Sequence, residues 1–565
     1  MRDMVSTSST SGRRWSSLSR PLTLVGLALG PLAVLGVFFV LPVSAMLARG
    51  FVVDGSLDVG GVLDVLARPR VHRVLWFTLW SAAAGTVMSL ALGLPAAYAL
   101  YRLDLPLRRP LRALLLVPFA LPTVVVGVAF RRLLADSGPL GFLGLDGSAI
   151  AIVLGLTFFN AAVVIRAVGT AWEGLDPRPA EAAAALGASP WQVLRTVTLP
   201  ALKPALVSAT SVVFLFCATS FGVVLTLGGL RYSSVETEIY LLTNNLLDLR
   251  AAAALSVLQI LVVVVLLVVA QRLRATPDPT QERTPPRPRR ARRGDVAALV
   301  ATGLLLVLVL APMTSLLLGS LRVGDGWGLA AYRALATTGA SPGGAEVLAV
   351  PVTDALLTSL RTAVDATWMS LLVGLLVAVV VTRHSRGRVE RRVRSGLDAV
   401  FMLPLGVSAV TVGFGFLIAL DEPPLALRDS PLLVPIAQAL VALPLVVRTI
   451  APVLGGVDDR QRQAAASLGA SPLRAVLTVD LPVVWKPLLA AAGFAFAVSL
   501  GEFGATSFLA RDDHPTLPVV IYRLLGHPGE LNYAMALAAS VVLAATTAVV
   551  VLAVERLRVP SAGAF

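Results

Sequence analysis

Apolar runs of about 20 residues or more, with short polar stretches between them, recur along the whole chain and hold very few charges. A hydrocarbon core about 30 Å thick needs about 20 mostly apolar residues per helix, and twelve segments qualify. In the first half they are 22–48, 74–100, 113–134, 149–172, 204–229 and 251–270. In the second half they are 296–321, 358–382, 397–420, 432–453, 487–509 and 533–554. The pattern predicts an all-α integral membrane protein with about twelve transmembrane helices. Arg13, Arg14 and Arg20 precede the first run, and Val43-Ser44-Ala45 loosely resembles a signal-peptidase site. The run itself is longer than the roughly 7–15 residues of a signal-peptide core, so it reads as a retained first span.

Composition agrees: 56% of the residues are hydrophobic and 14% charged, with mean hydropathy +0.82, which excludes an ordinary soluble domain. A net charge of +14 would suggest nucleic acid on a soluble protein. Here most of the 47 Lys and Arg fall in the inner loops and tails once the N-terminus is placed inside. The positive-inside rule therefore predicts two cytoplasmic termini. The densest block, "RATPDPTQERTPPRPRRARRGD" at 274–295, is Pro-rich and non-periodic. It reads as a solvated linker near anionic headgroups, not as a nucleic-acid site. The expected organisation is a six-helix half over 1–271, an Arg/Pro-rich cytoplasmic linker over 272–295, and a second six-helix half over 296–565.

The halves repeat each other. "EAAAALGASPWQVLRTVTLP" at 181–200 aligns without gaps on "QAAASLGASPLRAVLTVDLP" at 463–482, an offset of 282 residues. The same offset superposes Arg166 on Arg448, Asp176 on Asp458, Phe221-Gly222 on Phe503-Gly504, and Ile239-Tyr240 on Ile521-Tyr522. Six spans per half give both halves the same orientation, hence parallel repeats about an axis along the membrane normal. Within the repeated segment, Asp176-Pro177 signals a helix start, Gly187 a left-handed stop, and Ser189-Pro190 a second start. Trp191, Leu194 and Val197, repeated as Leu473, Val476 and Val479, fall on one face of the second helix and predict an apolar ridge. Pro200 and Pro482 are expected to close each segment before the next span. Two copies with the same punctuation suggest that each half docks something alike.

Glu-Ala-Ala, then Gly, then Leu-Pro about a dozen residues later resembles the coupling-loop motif of permease subunits of binding-protein-dependent ABC importers. Residues 181–200 match it fully, through Glu181, Ala182, Ala183, Gly187, Leu199 and Pro200. The second copy matches through Ala464, Ala465, Gly469, Leu481 and Pro482, with Gln463 in place of the acid. The resemblance implies a type I ABC importer permease fold and a bacterial cytoplasmic (inner) membrane location. It also implies two copies of a cytoplasmic ABC ATPase seated on these loops and an extracytoplasmic substrate-binding protein. ATP would then be held by the partners, with no cofactor on this chain. The only lysines, Lys203 and Lys486, are each followed by proline, so the chain has no P-loop of its own.

Fused double-length permeases of this type resemble thiamine and ferric-iron importers. "CATSFGVVLTLGGLRYSSVETEIY" at 217–240 and "SLGEFGATSFLARDDHPTLPVVIY" at 499–522 look more like the thiamine branch. Thiamine is therefore the expected substrate, ferric iron the alternative, and a secondary transporter of the major facilitator type the alternative from another class. No cluster of nucleophile, base or metal ligands marks an enzyme. His72, His384, His514 and His527 are scattered, and Cys217 is the single cysteine, so no metal site is expected. Glu502 is the ionisable residue of interest. A carboxylate in a span costs about 2.5–3.5 kcal/mol on insertion scales and should be paired or face a wet cavity. It either lines the path of a cation, or pairs with Arg511 or caps backbone amides. Arg361 and Asp365, four residues apart, are expected to satisfy each other.

Overall fold

The computed structural model describes residues 26, 28–53, 55–229, 231–273, 288–340, 345–382, 388–402, 407–421 and 425–557. Within them all twelve apolar segments fall on helices. The first half contains α1 (Ala28–Phe51), α2 (Pro69–Arg102), α3 (Arg108–Leu116), α4 (Thr123–Leu134), α5 (Ala149–Glu173) and α6 (Arg178–Ala185). It continues with α7 (Pro190–Ala218), α8 (Gly222–Leu227), α9 (Val235–Asn244) and α10 (Leu249–Leu273). The second half begins with α11 (Val296–Ser320), α12 (Val352–Thr382), α13 (Arg388–Met402), α14 (Ala409–Ala419) and α15 (Leu433–Gly455). It ends with α16 (Asp459–Ser467), α17 (Val476–Leu500), α18 (Thr506–Leu509), α19 (Leu517–Gly526) and α20 (Glu530–Leu557).

Among the described residues ten helices are long and apolar enough to cross a membrane, eleven if the bent pair Arg108–Ala120 and Thr123–Leu134, which turns by 106°, is one span. Pro118 and Pro122 stand at that corner, where two missing N–H donors interrupt the helical ladder. The expected ninth span is likewise two helices, α13 and α14. The fifth and eleventh segments are shorter as spans than expected: α7 ends at Ala218 and α17 at Leu500, and the chain re-enters as short helices. Just beyond these breaks the backbone packs closely on neighbouring helices. A Cβ on Gly222 would lie 2.3 Å from Thr123 Oγ1, and one on Gly504 would lie 2.9 Å from Ala409 Cβ.

Each half is built on one tightly packed helix pair, α2 with α5 and α12 with α15. Small residues permit the approach: a Cβ on Gly93 would sit 2.8 Å from Val164 Cβ, and one on Gly374 would sit 2.6 Å from Val446 Cγ1. Buried hydroxyls bond back to carbonyls one turn earlier, as Thr86 does to Ala82 (2.7 Å) and Thr157 to Val153 (2.7 Å), which satisfies these two polar groups within their own helices. The first helix of each half packs on the other half. α1 lies against α14, with Phe38 6.0 Å from Phe416, and α11 lies against α2 and α4. The halves are therefore interlocked.

The linker contributes more than solvated chain. Of 272–295, residues 274–287 lie outside the described residues, but Arg289 is docked against the end of α2. Its backbone bonds Arg102 O (3.0 Å) and Asp104 N (2.7 Å), and its guanidinium bonds Asp295 (2.7 Å) and the Tyr98 hydroxyl (2.5 Å).

Candidate functional site

Both repeated loops fold as a helix, a glycine turn and a second helix. Asp176 Oδ1 accepts from Arg178 N (3.1 Å) and Asp458 Oδ1 from Arg460 N (2.9 Å), which starts α6 and α16. Both helices end in a Schellman turn. Gly187 N bonds Ala184 O (3.0 Å) and Ala188 N bonds Ala183 O (3.1 Å); Gly469 N and Ala470 N repeat these bonds at 3.0 Å each. Gly187 has φ +89° and Gly469 φ +83°, the left-handed region that a glycine enters without Cβ strain. Exposure repeats as well: Glu181, Gln463, Ala182, Ala464, Pro200 and Pro482 are exposed, while Ala183, Ala465, Leu199 and Leu481 are half-buried.

Two expectations fail here. Pro200 and Pro482 do not close the loops, because the second helix of each runs unbroken into α7 or α17. A wider turn admits the proline: Leu199 N bonds Leu194 O and Leu481 N bonds Val476 O, five residues back. The apolar ridge is also not the outward face. Trp191 is exposed, but Leu194, Val197, Val476 and Val479 are half-buried; the side chain of Leu473 lies outside the described residues. The residues that do stand out are Leu186 and Leu468, each 89% exposed, immediately before the turn glycines. Helical periodicity hid them, because they sit where the helix has already ended.

At the other end of α7 and α17 the halves meet in a cluster of rings. Phe221 stacks on Phe503 with centroids 5.3 Å apart, and Tyr240 meets Tyr522 edge-on at 6.5 Å. Phe221 also lies 5.5 Å from Tyr240, and Phe503 5.6 Å from Tyr522. These are the pairs aligned by the 282-residue offset, now in contact across the seam. Tyr240 continues to Phe508 (5.5 Å), behind which a cleft of about 450 Å³ is lined by Phe416, Arg428, Arg511, Asp512 and Asp513. The helices that carry the tyrosines are held alike: Thr78 Oγ1 accepts from Val235 N (3.0 Å) and Ser359 Oγ from Leu517 N (2.7 Å).

Glu502, next to Phe503, is buried and caps a helix. Its Oε1 accepts from Ala505 N (2.8 Å) and its Oε2 from Thr506 N (3.0 Å). Arg511 is engaged elsewhere, with Asp513 (2.9 Å) and Asp429. A second buried carboxylate escaped notice in the sequence. Glu236 is fully buried at the seam and accepts from Gln259 and from Ser408 Oγ of the other half (2.8 Å). It stands one helical turn before Tyr240 on α9, in the Glu-x-x-Ile-Tyr stretch. The expected Arg361–Asp365 pair is replaced: Asp365 accepts from the Trp368 indole (3.2 Å), one turn further along the same face. Among the described residues no group of three or more His, Cys, Asp or Glu could hold a metal ion.

The sequence profile of the family described as binding-protein-dependent transport system inner membrane component matches the chain twice, over residues 89–279 and 370–558. The thiamine transport system permease protein of Brucella abortus is 26% identical over 506 residues, covering 85% of this chain and 88% of that protein. A probable ABC transporter permease protein of Sinorhizobium fredii is 28% identical over 536 residues, covering 90% of this chain and 91% of that protein. A chain in the crystal structure of a bacterial ABC transporter involved in the import of alginate superposes with TM-score 0.41 and 16% identity, over 46% of this chain and 98% of its own. The profile matches leave the major facilitator alternative without support. They take in more than half of the residues and contain both repeated loops, and the chain accordingly belongs to the family of binding-protein-dependent transport system inner membrane components, as a permease subunit of an ABC importer.

Proposed function

We propose that this chain forms the translocation pathway of an ATP-driven importer of thiamine, with two copies of a cytoplasmic ABC ATPase seated on the loops at 181–200 and 463–482. One observation carries the docking: Leu186 and Leu468, equally exposed at matching left-handed turns, present the same apolar contact from each half. An exposed leucine is unremarkable alone. Two in pseudo-symmetric positions call for a partner that binds twice. With the loops inside, both termini are cytoplasmic and the cleft beside Phe508 faces the external binding protein.

The geometry suits such coupling. Each loop's second helix continues into a membrane span, and α7 alone runs 29 residues, about 43 Å at 1.5 Å per residue. Phe221 and Phe503 stand just beyond the far ends of these spans. Drawing the loops together at one end therefore moves the rings that seal the seam at the other. Nucleotide does work only by favouring one of the two arrangements over the other. Thiamine is supported by the stretches at 217–240 and 499–522 and by the relatives of that name. An aromatic cation would also suit a path of stacked rings. The test is reconstitution with the ATPase and the binding protein, comparing uptake of labelled thiamine and ferric iron. Iron uptake without thiamine uptake overturns the substrate assignment.

A further inference from the structure

The two loops share their turns but not their attachment to the membrane spans. In the second copy Arg462 points inward and is buried. Its Nε donates to Asp480 Oδ1 (2.8 Å), its Nη1 to Asp459 Oδ1 (2.8 Å), and its Nη2 to Leu454 O (3.0 Å). One planar guanidinium thus joins the last turn of α15, the first turn of α16 and the first turn of α17. Asp480 is almost fully enclosed, with 2% of its side chain exposed. The positions aligned with Asp459, Arg462 and Asp480 in the first copy are Pro177, Ala180 and Thr198, which cannot form such a tie.

We propose that Arg462 is a positioning residue that makes the second loop a rigid lever on α17, while the first loop is compliant until its partner binds. This rests on the reading that both loops seat an ATPase. A buried Arg with three charge-assisted or carbonyl bonds in fork geometry resists displacement, because each lost bond leaves a desolvated charge uncompensated. Asp480 belongs to the widened turn that leads unbroken into α17, so α16 cannot swing without dragging the span. In the first loop α6 is joined to α7 through the Gly187 turn with no ionic strut at these positions. The motif departure at Gln463 acquires a physical counterpart: the copy lacking the exposed acid carries a buried ionic strut at the preceding residue.

Stiffness is measurable on the full chain without any ATPase. Spin labels at Ala466 and Thr478 report α16 against α17, and labels at the aligned exposed positions Ala184 and Thr196 report α6 against α7. The distance distribution should be narrower for the second pair of helices, and Arg462→Met with Asp480→Leu should broaden it to the width of the first. Arg462→Lys, which keeps the charge but not the three-pronged fork, should broaden it only part of the way. Equal widths in the two loops, or no change in the apolar double variant, overturn the proposal. In the reconstituted complex the same double variant should retain bound ATPase yet import at least threefold less substrate per ATP hydrolysed. An unchanged ratio refutes the lever. Undiminished ATPase binding by both Gly187→Val and Gly469→Val sinks the docking reading instead, and leaves the stiffness comparison standing.

Discussion

Replacing Gly187 by valine separates backbone geometry from packing, because a side chain there meets nothing within 4 Å while the backbone sits at φ +89°. Steric room is therefore not at issue. The cost is the clash of Cβ with its own carbonyl, about 1–2 kcal/mol for an ordinary L-residue in the left-handed region, with branching at Cβ adding to it. If the turn relaxes out of that region, the angle between α6 and the start of α7 is lost in a fraction of molecules. The corresponding population change is about 5–30-fold, and apparent affinity falls by the fraction still competent. ATPase co-purification and affinity should weaken by up to that factor. Membrane insertion and thermal unfolding of the permease should barely change, since Gly187 supports no packing. The series should be graded: Gly187→Asn mild, because asparagine tolerates the left-handed region, Gly187→Ala intermediate, and Gly187→Val worst. Gly469 at φ +83° should repeat the order. Full ATPase affinity in both valine variants, with the loops otherwise intact, refutes the reasoning.

Four further outcomes are expected. Gly413→Ala should lower thermal stability by about 1–3 kcal/mol, because its Cβ would lie 2.7 Å from Ala505 Cα and 2.9 Å from Ala505 O, backbone atoms that cannot rotate away; an unchanged melting temperature contradicts it. Glu502→Gln should cost about 1–3 kcal/mol, since an amide offers one acceptor where the carboxylate meets two backbone donors, and a stable variant with full thiamine uptake removes Glu502 from the pathway. Phe221→Ala should open the seam by deleting the ring stacked on Phe503, giving substrate leak without ATP in reconstituted vesicles; tight vesicles contradict the seal. Asp58 starts the helix Val59–Leu66, and its hydrogen bond from Gly61 N (2.8 Å), together with Arg250, holds its carboxyl below the ordinary 3.8. Its contribution is present above that value and lost as pH falls through the lower folded one. Amide exchange of Val59–Leu66, corrected for intrinsic rates, should rise only below about pH 4, and Asp58→Asn should remove the rise.

The spans were readable because the cost of exposing backbone polar groups to hydrocarbon depends on composition and length, which the chain carries locally. The loop turns were readable for a similar reason: Asp176, Gly187 and Ser189 act on φ, ψ and hydrogen bonds within three or four residues, and the 282-residue repeat confirmed that the punctuation was not chance. Periodicity misjudged the outward face of the loops, because Leu194 packs against a core of spans whose position the local pattern cannot contain. It also ran α7 and α17 too far, since the breaks after Ala218 and Leu500 arise where Gly222 and Gly504 meet α4 and α14. Glu502 was recognised as needing partners, but whether they would be Arg511 or backbone amides depended on where Asp429 and Asp513 hold that arginine.

The sequence by itself determined an all-helical, twice-repeated membrane chain with a matching glycine turn in each half. These features follow from residue hydropathy and from dihedral preferences, which act over a few bonds. Only the tertiary structure decided that the first helix of each half packs on the other half, and that Phe221 stacks on Phe503. The same holds for the bond from Ser408 to Glu236 and for the three elements that Arg462 joins. Such contacts link residues 18 to 282 positions apart in sequence for the pairs Arg462–Asp480 and Phe221–Phe503. Their existence depends on the distance between packed helices, a property that no local pattern of apolar and polar residues encodes.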